Sequence, residues 1–260
     1  MAQSKKTNAA VPVNLKIPLF TFSFFIMLLV PVFYLRSQRV EPTPTIPQPT
    51  ITIVGATTPI ELPLPKFTSS SSLEAVLKTR RTIRDFQDKP LDLQQVSQLL
   101  WATQGVTVDL GGRTVPSAKS VYPLTVYLVA FNVDKLEAGL YRYVPGKLRP
   151  AHELIPVIKS NLRDDLSALV NQTAIQEAPA ILVITGDFAK MREAFGDKDV
   201  DYNVYLEAGH AAQNLALQAT ALALGSVTIT TLDRPSLQDT LEIPVEESII
   251  YLIPIGLPKN

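Results

Sequence analysis

The sequence contains no cysteine, and that single absence removes disulfides, thiolate nucleophiles, iron–sulfur ligation, zinc–cysteine sites and a lipidated cysteine anchor. Histidine is almost as scarce. His152 and His210 are the only two, too few for a multi-histidine metal centre, so no metal site is expected. Charge of one sign is lacking as well. Lys and Arg total 24, Asp and Glu total 24, and without a basic excess no nucleic-acid partner is expected. What remains for chemistry is a carboxylate, a hydroxyl or a borrowed cofactor. The 260 residues are 46% hydrophobic, enough for one domain of ordinary size with appendages.

The largest apolar run stands apart from that domain. Ile17 to Leu35, IPLFTFSFFIMLLVPVFYL, holds no charged residue and as a helix would span about 28 Å, the thickness of a bilayer core. No small-x-small cleavage signal follows it, so residues 1–40 are expected to carry a single-pass transmembrane anchor at about 17–35. Lys5, Lys6 and Lys16 precede the run, against Arg36 and Arg39 after it. This imbalance orients the C-terminal part out of the cytoplasm. Residues 41–68, EPTPTIPQPTITIVGATTPIELPLPKFT, are dense in proline and nearly uncharged. They read as an extended tether, with Ile51, Ile53 and Val54 as candidates to lie along a domain surface.

The third segment, 69–260, carries the folding pattern. In SSSSLEAVLKTRR, Ser71 and Glu74 have capping-box spacing, so a helix is expected to start there and run into the arginines. LDLQQVSQLLWATQG is a second helix, entered through Pro90 and Asp92 and stopped by Gly105. GGRTVPSAKSVYP is a loop. LTVYLVAF and GLYRYV read as partnered strands, and two helical segments are expected between His152 and Val170. APAILVITG fits a buried central strand. A helix from about Asp201 to Leu224 follows, then strands SVTITTL and SIIYLIPIG around a short helix RPSLQDTL. Interleaved helices and strands make the class α/β or α+β, one sheet covered by helices.

Two features exceed what folding requires. The first is TRRTIRDF, which packs Arg80, Arg81 and Arg84 into five residues of a chain with no general positive charge. A helix C-terminus accounts for one or two of them; three at R-R-T-x-R spacing point to an anion. The second is the 201–224 helix, whose small residues Ala208, Gly209, Ala211, Ala212, Ala216, Ala219 and Ala223 admit close approach of another backbone. That helix is either the central core element of one chain or half of an intersubunit pair. Gln213 and Asn214 need polar partners if buried, and His210 is more often a structural hydrogen-bonder than a ligand contact.

From about Ser72 to Pro258 these blocks, taken in order, resemble the nitroreductase family of flavin enzymes, most closely its SagB-type dehydrogenase branch. The blocks are SLEAVLKTRRTIRDF, QLLWATQG, RTVPSAKSVYPL, GLYRY, EAPAILVIT, LEAGHAAQNL and YLIPIGLP. The resemblance implies an α+β (three-layer α/β, nitroreductase-like) domain over 69–260 with a central, mostly antiparallel sheet flanked by helices. It implies a homodimer with FMN at the interface, ping-pong transfer of hydride or electrons, a small-molecule donor and acceptor, and NAD(P)H as a candidate donor. Carried over by position, Arg80, Arg81 and Thr82 would serve the phosphate and ribityl chain, and Arg84 the pyrimidine edge. Pro116, Ser117, Ala118 and Ser120 would run beside the ring, while Lys119 reaches either the phosphate or solvent. Thr230 and Thr231 would pass near flavin N5, and Lys259 would partly substitute for the family's basic tail. No catalytic side chain is implied.

The chain departs from the azoline-oxidising relatives, because Ala194 and Phe195 stand near where those carry a lysine–tyrosine pair, and Lys198 and Tyr202 are out of register. A general oxidoreductase is the resulting expectation. A membrane-tethered flavin relay and a non-catalytic interaction module on the same fold stand as alternatives.

Overall fold

In the computed structural model, described for residues 58–109, 111–146, 151–230 and 233–259, seven strands form one sheet in the order β1-β4-β3-β2-β5-β7-β6. The strands are β1 (Ile60–Glu61), β2 (Leu124–Ala130), β3 (Gly139–Pro145), β4 (His152–Ile158), β5 (Ala180–Gly186), β6 (Gly225–Ser226) and β7 (Ser248–Gly256). Every ladder is antiparallel. The helices are α1 (Leu73–Thr79), α2 (Leu93–Gln104), α3 (Arg163–Leu169), α4 (Thr173–Glu177), α5 (Phe188–Ala194), α6 (Asp201–Ala221) and α7 (Arg234–Thr240). The expected α+β class with a helix-flanked antiparallel sheet is present. The apolar run at 17–35 and the tether to residue 57 lie outside the described residues; among the described residues no helix is long and apolar enough to cross a membrane.

Side-chain alternation along the strands builds the three layers. Leu124, Val126 and Leu128 of β2 face a core completed by Leu99 and Leu100 of α2 and by Val204, Ala208, Ala211 and Leu215 of α6. Tyr127 and Val129 face the opposite core, with Leu166 of α3, Ile175 of α4 and Leu237 of α7. β5 is buried along its whole length, as its unbroken apolar sequence requires between two helical layers. Ala208, Ala211, Ala212 and Ala219 of α6 thus serve the core on one side, while Gly209 and Ala216 are half-buried. The other side of that helix stays open, with Tyr202, Tyr205, Leu206, His210 and Gln213 exposed.

Local expectations needed three corrections. The α1 cap is Ser72, whose hydroxyl accepts from Ala75 N at 3.2 Å, rather than Ser71. His152–Ile158 is strand β4, not helix; Pro156 sits where the β3–β4 register shifts, a position that tolerates a residue with no N–H to give. Of SVTITTL, among the described residues only Ser226 belongs to a strand, with Gly225 in β6, and Ile229 makes an isolated bridge to Leu252. In α2, by contrast, Asp92 and Gln95 form a reciprocal capping box and Gly105 closes the helix onto Trp101 O.

The last residues of the proline-rich stretch are stitched to the sheet and to α2. Leu62 N donates to His152 O at 3.0 Å, Gln94 reaches Leu64 O, and Gln98 holds both backbone groups of Lys66. Pro63 O accepts from the Ser97 hydroxyl and lies 3.1 Å from His152 Nε2, while the Tyr143 hydroxyl meets Nδ1 at 2.9 Å. Burial pushes the Tyr143 phenol up, so it stays protonated and donates to a neutral imidazole that donates in turn to Pro63 O.

Burial also lowers the His152 pKa from its usual 6.5, the Pro63 carbonyl opposing the shift. The sign follows directly. Below 6.5 the unfolded chain takes up a proton that the folded chain resists, so stability falls as pH drops through that value and recovers as pH rises. We expect the melting temperature to fall between pH 7 and pH 5, and that share of the fall to disappear in His152→Gln. An identical pH slope in wild type and variant would refute it.

Candidate functional site

The arginine segment leaves α1 and immediately becomes extended backbone. Arg80 caps the helix through its own N–H to Val76 O at 2.9 Å, after which Thr82 bridges Ser226 of β6 and Ile83 N donates to Ser226 O. Gly225 is required here, because a Cβ would stand 2.6 Å from Ile83 Cβ. Further along, Gln87 N donates to Leu257 O, and Lys259 N donates to Asp85 O and so ties the chain end to the same segment. The residues from Arg80 to Arg84 are thereby fixed between β6 and the C-terminal residues that follow β7.

Within that segment the three guanidinium groups differ. Arg81 turns back on its own helix and donates to Lys78 O and Arg80 O at 2.9 and 2.8 Å, which is the C-terminal capping role. Arg80 and Arg84 have no side-chain hydrogen bond or ion pair among the described residues. The exposed Thr82 lies between them. Two free, forked cations on a fixed backbone match a planar or tetrahedral anion.

Lys259 is committed elsewhere. Its ammonium pairs with Glu177 Oε1 at 2.5 Å, and Glu177 Oε2 accepts from Phe86 N. The bond from Lys259, then that from Phe86, hold the Glu177 carboxyl below the ordinary carboxylate range. Thr230 is exposed just beyond the Ile229 bridge, its carbonyl 3.4 Å from Arg234; Thr231 lies outside the described residues. The structure therefore brings together Arg80–Arg84, Ser226 and Leu257–Lys259, with Thr230 four residues further along, past the Ile229–Leu252 bridge.

It does not bring Pro116–Ser120 to them. Pro116 is exposed, and Ala118–Ser120 form a single 3-10 turn. Lys119, Ser120 and Tyr122 all hold positive φ, at 50°, 56° and 49°, a strain of about 1–3 kcal/mol each. The turn is anchored from α5: Lys119 Nζ donates to Ala194 O at 3.0 Å and lies 4.2 Å above the Phe195 ring, and Lys190 Nζ donates to Tyr122 O. Ser117 Oγ accepts from Tyr122 N at 2.8 Å.

Beneath this loop lies a polar cluster absent from the sequence expectations. Arg113 donates to Gln104 Oε1 at 2.9 Å, Gln104 donates to Glu207 Oε1 at 3.3 Å, and Arg113 also stacks 4.5 Å from the Tyr122 ring centre. Glu207 is only 2% exposed, and burial pushes its carboxyl pKa up against the pull of Ser117, Gln104, Arg113 and Lys190. A readable signal existed. Glu207 falls on the apolar stripe of α6 with Val204, Ala208 and Ala211, a place where a carboxylate needs a reason. Of the remaining helix residues, Asn214 donates to Thr114 O, while Gln213 and His210 face outward.

The spacing of the two regions follows from α6. Gln98 meets Gln218 and Gln104 meets Glu207, so α2 packs on α6 in the antiparallel sense, and along α6 the two contacts are eleven residues apart, about 16 Å. The strained loop lies at the Glu207 end, and the arginines lie past the other end at β6. Within one chain the two regions are about 20 Å apart.

An antiparallel sheet between helical layers, with an arginine-rich turn at one edge and a strained proline–serine loop at the far end of the central helix, defines an α+β protein with two separate candidate contact regions. Residues 77–257 match the Nitroreductase family. A Methanocaldococcus jannaschii protein, MJ1384, assigned by name to the nitroreductases, is 34% identical over 198 residues, covering 76% of this chain and 96% of that one. A crystal structure of a Ralstonia eutropha protein with the same assignment is 30% identical, with a TM-score of 0.64 over 78% of this chain and 90% of that one. Another from Anabaena variabilis is 26% identical with a TM-score of 0.62; this chain matches it over 72% of its own length but spans only 38% of the Anabaena chain. The Escherichia coli microcin synthetase McbBCD complex shares the fold, with a TM-score of 0.58 at 18% identity. The chain belongs to the nitroreductase family, and its class of chemistry is flavin-dependent oxidoreduction.

Proposed function

We propose that this chain is an FMN-dependent oxidoreductase of SagB-type ancestry, active as a homodimer and tethered to a membrane by residues 17–35. The observation that carries the reading is the pair of unpartnered guanidinium groups, Arg80 and Arg84, on a backbone pinned between β6 and the chain end. These residues fit a flavin mononucleotide. Arg80 and the Thr82 hydroxyl offer donors to the phosphate, and Arg84 offers a cation to the electron-rich pyrimidine edge. With Lys259 held by Glu177, phosphate binding falls to the arginines.

The distance between half-sites favours a dimer. A two-fold axis that sets two α6 helices antiparallel would lay the Ser117 loop of one subunit over the arginines of the other, which no movement within one chain achieves. Bound FMN supplies the hydride acceptance and return that no side chain of this cysteine-free chain can perform. The chain's own share is to hold the ring and leave one face open to a donor and then an acceptor. Ala194 and Phe195, which hold Lys119, occupy the place of the azoline oxidases' lysine–tyrosine pair, so a general oxidoreductase is the better description.

The test is purification of the full-length protein in detergent. A flavin absorption band released by heat as FMN, bleached by NADH, NADPH or a quinol, is expected. A folded, colourless protein that takes up no added FMN overturns the reading, and a bound flavin that no donor bleaches favours a relay. The charge imbalance around residues 17–35 supports a domain outside the cytoplasm, where NAD(P)H is scarce and a quinol the better donor. Protease added to intact cells should then digest the C-terminal domain; full protection would put it inside and make NAD(P)H the natural donor.

A further inference from the structure

Glu207 is a buried carboxyl that the binding of flavin by the arginines leaves without a role. Its Oε2 has no hydrogen-bond partner although the residue is 2% exposed. A carboxylate oxygen left in that state is costly unless something claims it. A claimant at hand is the Ser117 hydroxyl, whose oxygen already accepts from Tyr122 N at 2.8 Å and whose own proton is free to turn toward the carboxyl. The same hydroxyl draws the Glu207 carboxyl toward its charged form.

The loop above needs such a hold. Lys119, Ser120 and Tyr122 are all at positive φ without being glycine, and strained backbone persists only where its surroundings over-determine it. The visible anchors are flexible or peripheral: Lys119 and Lys190 tie the loop to α5 from one flank, and Arg113 holds the Tyr122 ring and hydroxyl beyond it. Glu207 is placed to supply a rigid anchor from below. It sits on α6, is tied to α2 through Gln104, and is balanced by Arg113.

We propose that Glu207 is the positioning residue of the Ser117–Ser120 loop: its free oxygen receives the Ser117 hydroxyl proton and thereby fixes the loop in the conformation offered to flavin. The claim deepens the proposed function and rests on it for the ligand, but not for the loop itself. Glu207→Gln keeps the size of the side chain and replaces the accepting oxygen by a donor or leaves a neutral amide. Ser117→Ala removes the proton from the other end.

The experiment reads the loop without flavin. Trypsin cleavage after Lys119 in the full-length protein is followed by mass spectrometry, since cleavage reports how often the loop opens. Each single variant is expected to be cut roughly tenfold faster than wild type, with a melting temperature close to wild type, and the double variant no faster than either single one. Wild-type cleavage rates in Ser117→Ala, or effects that multiply in the double variant, overturn the proposal. Ser117→Ala alone decides the matter if Glu207→Gln fails to fold. Titration with FMN then separates the two claims. Wild type that binds FMN, with both variants weaker by tenfold or more, supports both; wild type that binds none defeats the flavin reading and leaves the trypsin result to judge the loop.

Discussion

Arg84→Ala will weaken FMN binding by roughly 10- to 100-fold, while Arg81→Ala, three residues away in the same cluster, will leave it nearly unchanged. The difference comes from where the side chains already are. Arg81 satisfies the last carbonyls of α1 through two hydrogen bonds, so its removal costs a surface helix end a few tenths of a kcal/mol and lowers the melting temperature by a degree or two. Arg84 is exposed and bonded to nothing among the described residues, so its removal costs the fold almost nothing. What it loses is a charge-assisted hydrogen bond to the ligand, worth about 1.5–3 kcal/mol, which gives the stated range. Fluorescence titration of folded protein freed of FMN by dialysis measures both constants side by side. Equal losses for the two variants would mean that the cluster acts as a diffuse positive patch; no loss for Arg84→Ala would remove it from the site.

The contrast between these two arginines also marks what a sequence can carry. R-R-T-x-R spacing pointed to an anion but could not say which guanidinium folds back, because that depends on where α1 ends, and its C-cap is Arg80. Long apolar strands were legible: β2, β3, β5 and β7 follow from unbroken or alternating apolar runs. β4 was not, since His152, Glu153 and Pro156 look wrong for a strand until the Tyr143 hydroxyl takes the imidazole and the register shift takes the proline. Glu207 and Glu247 were missed for a shared reason. Each is claimed by partners distant in sequence: Gln104 for the first, and the hydroxyls of Thr125, Tyr127 and Thr185 for the second. Pairings so far apart along the chain leave no local trace of the partner, only a carboxylate on an apolar stripe in the case of Glu207, whereas caps and periodicity can be read directly.

The open face of α6 yields the second large effect. Tyr202, Tyr205 and Leu206 are 59%, 55% and 56% exposed, an apolar group on the side of the helix turned away from its own core. Leu206→Asp at a truly solvent-exposed position should change stability by no more than about 0.5 kcal/mol and alter nothing else. If the face is the dimer seam, each substitution removes a buried leucine worth about 1.5–3 kcal/mol and adds a buried charge, and two-fold symmetry applies the loss twice. The dimer dissociation constant then rises at least about 100-fold. Light scattering is expected to show a dimer for wild type and a monomer for Leu206→Asp, with unchanged far-ultraviolet circular dichroism. FMN should leave with the dimer, because the Ser117 loop and the Arg80–Arg84 segment stand about 20 Å apart in one chain and neither half alone encloses the ring. A Leu206→Asp monomer that keeps its flavin would place the whole site within one subunit; a Leu206→Asp dimer would move the seam to another surface.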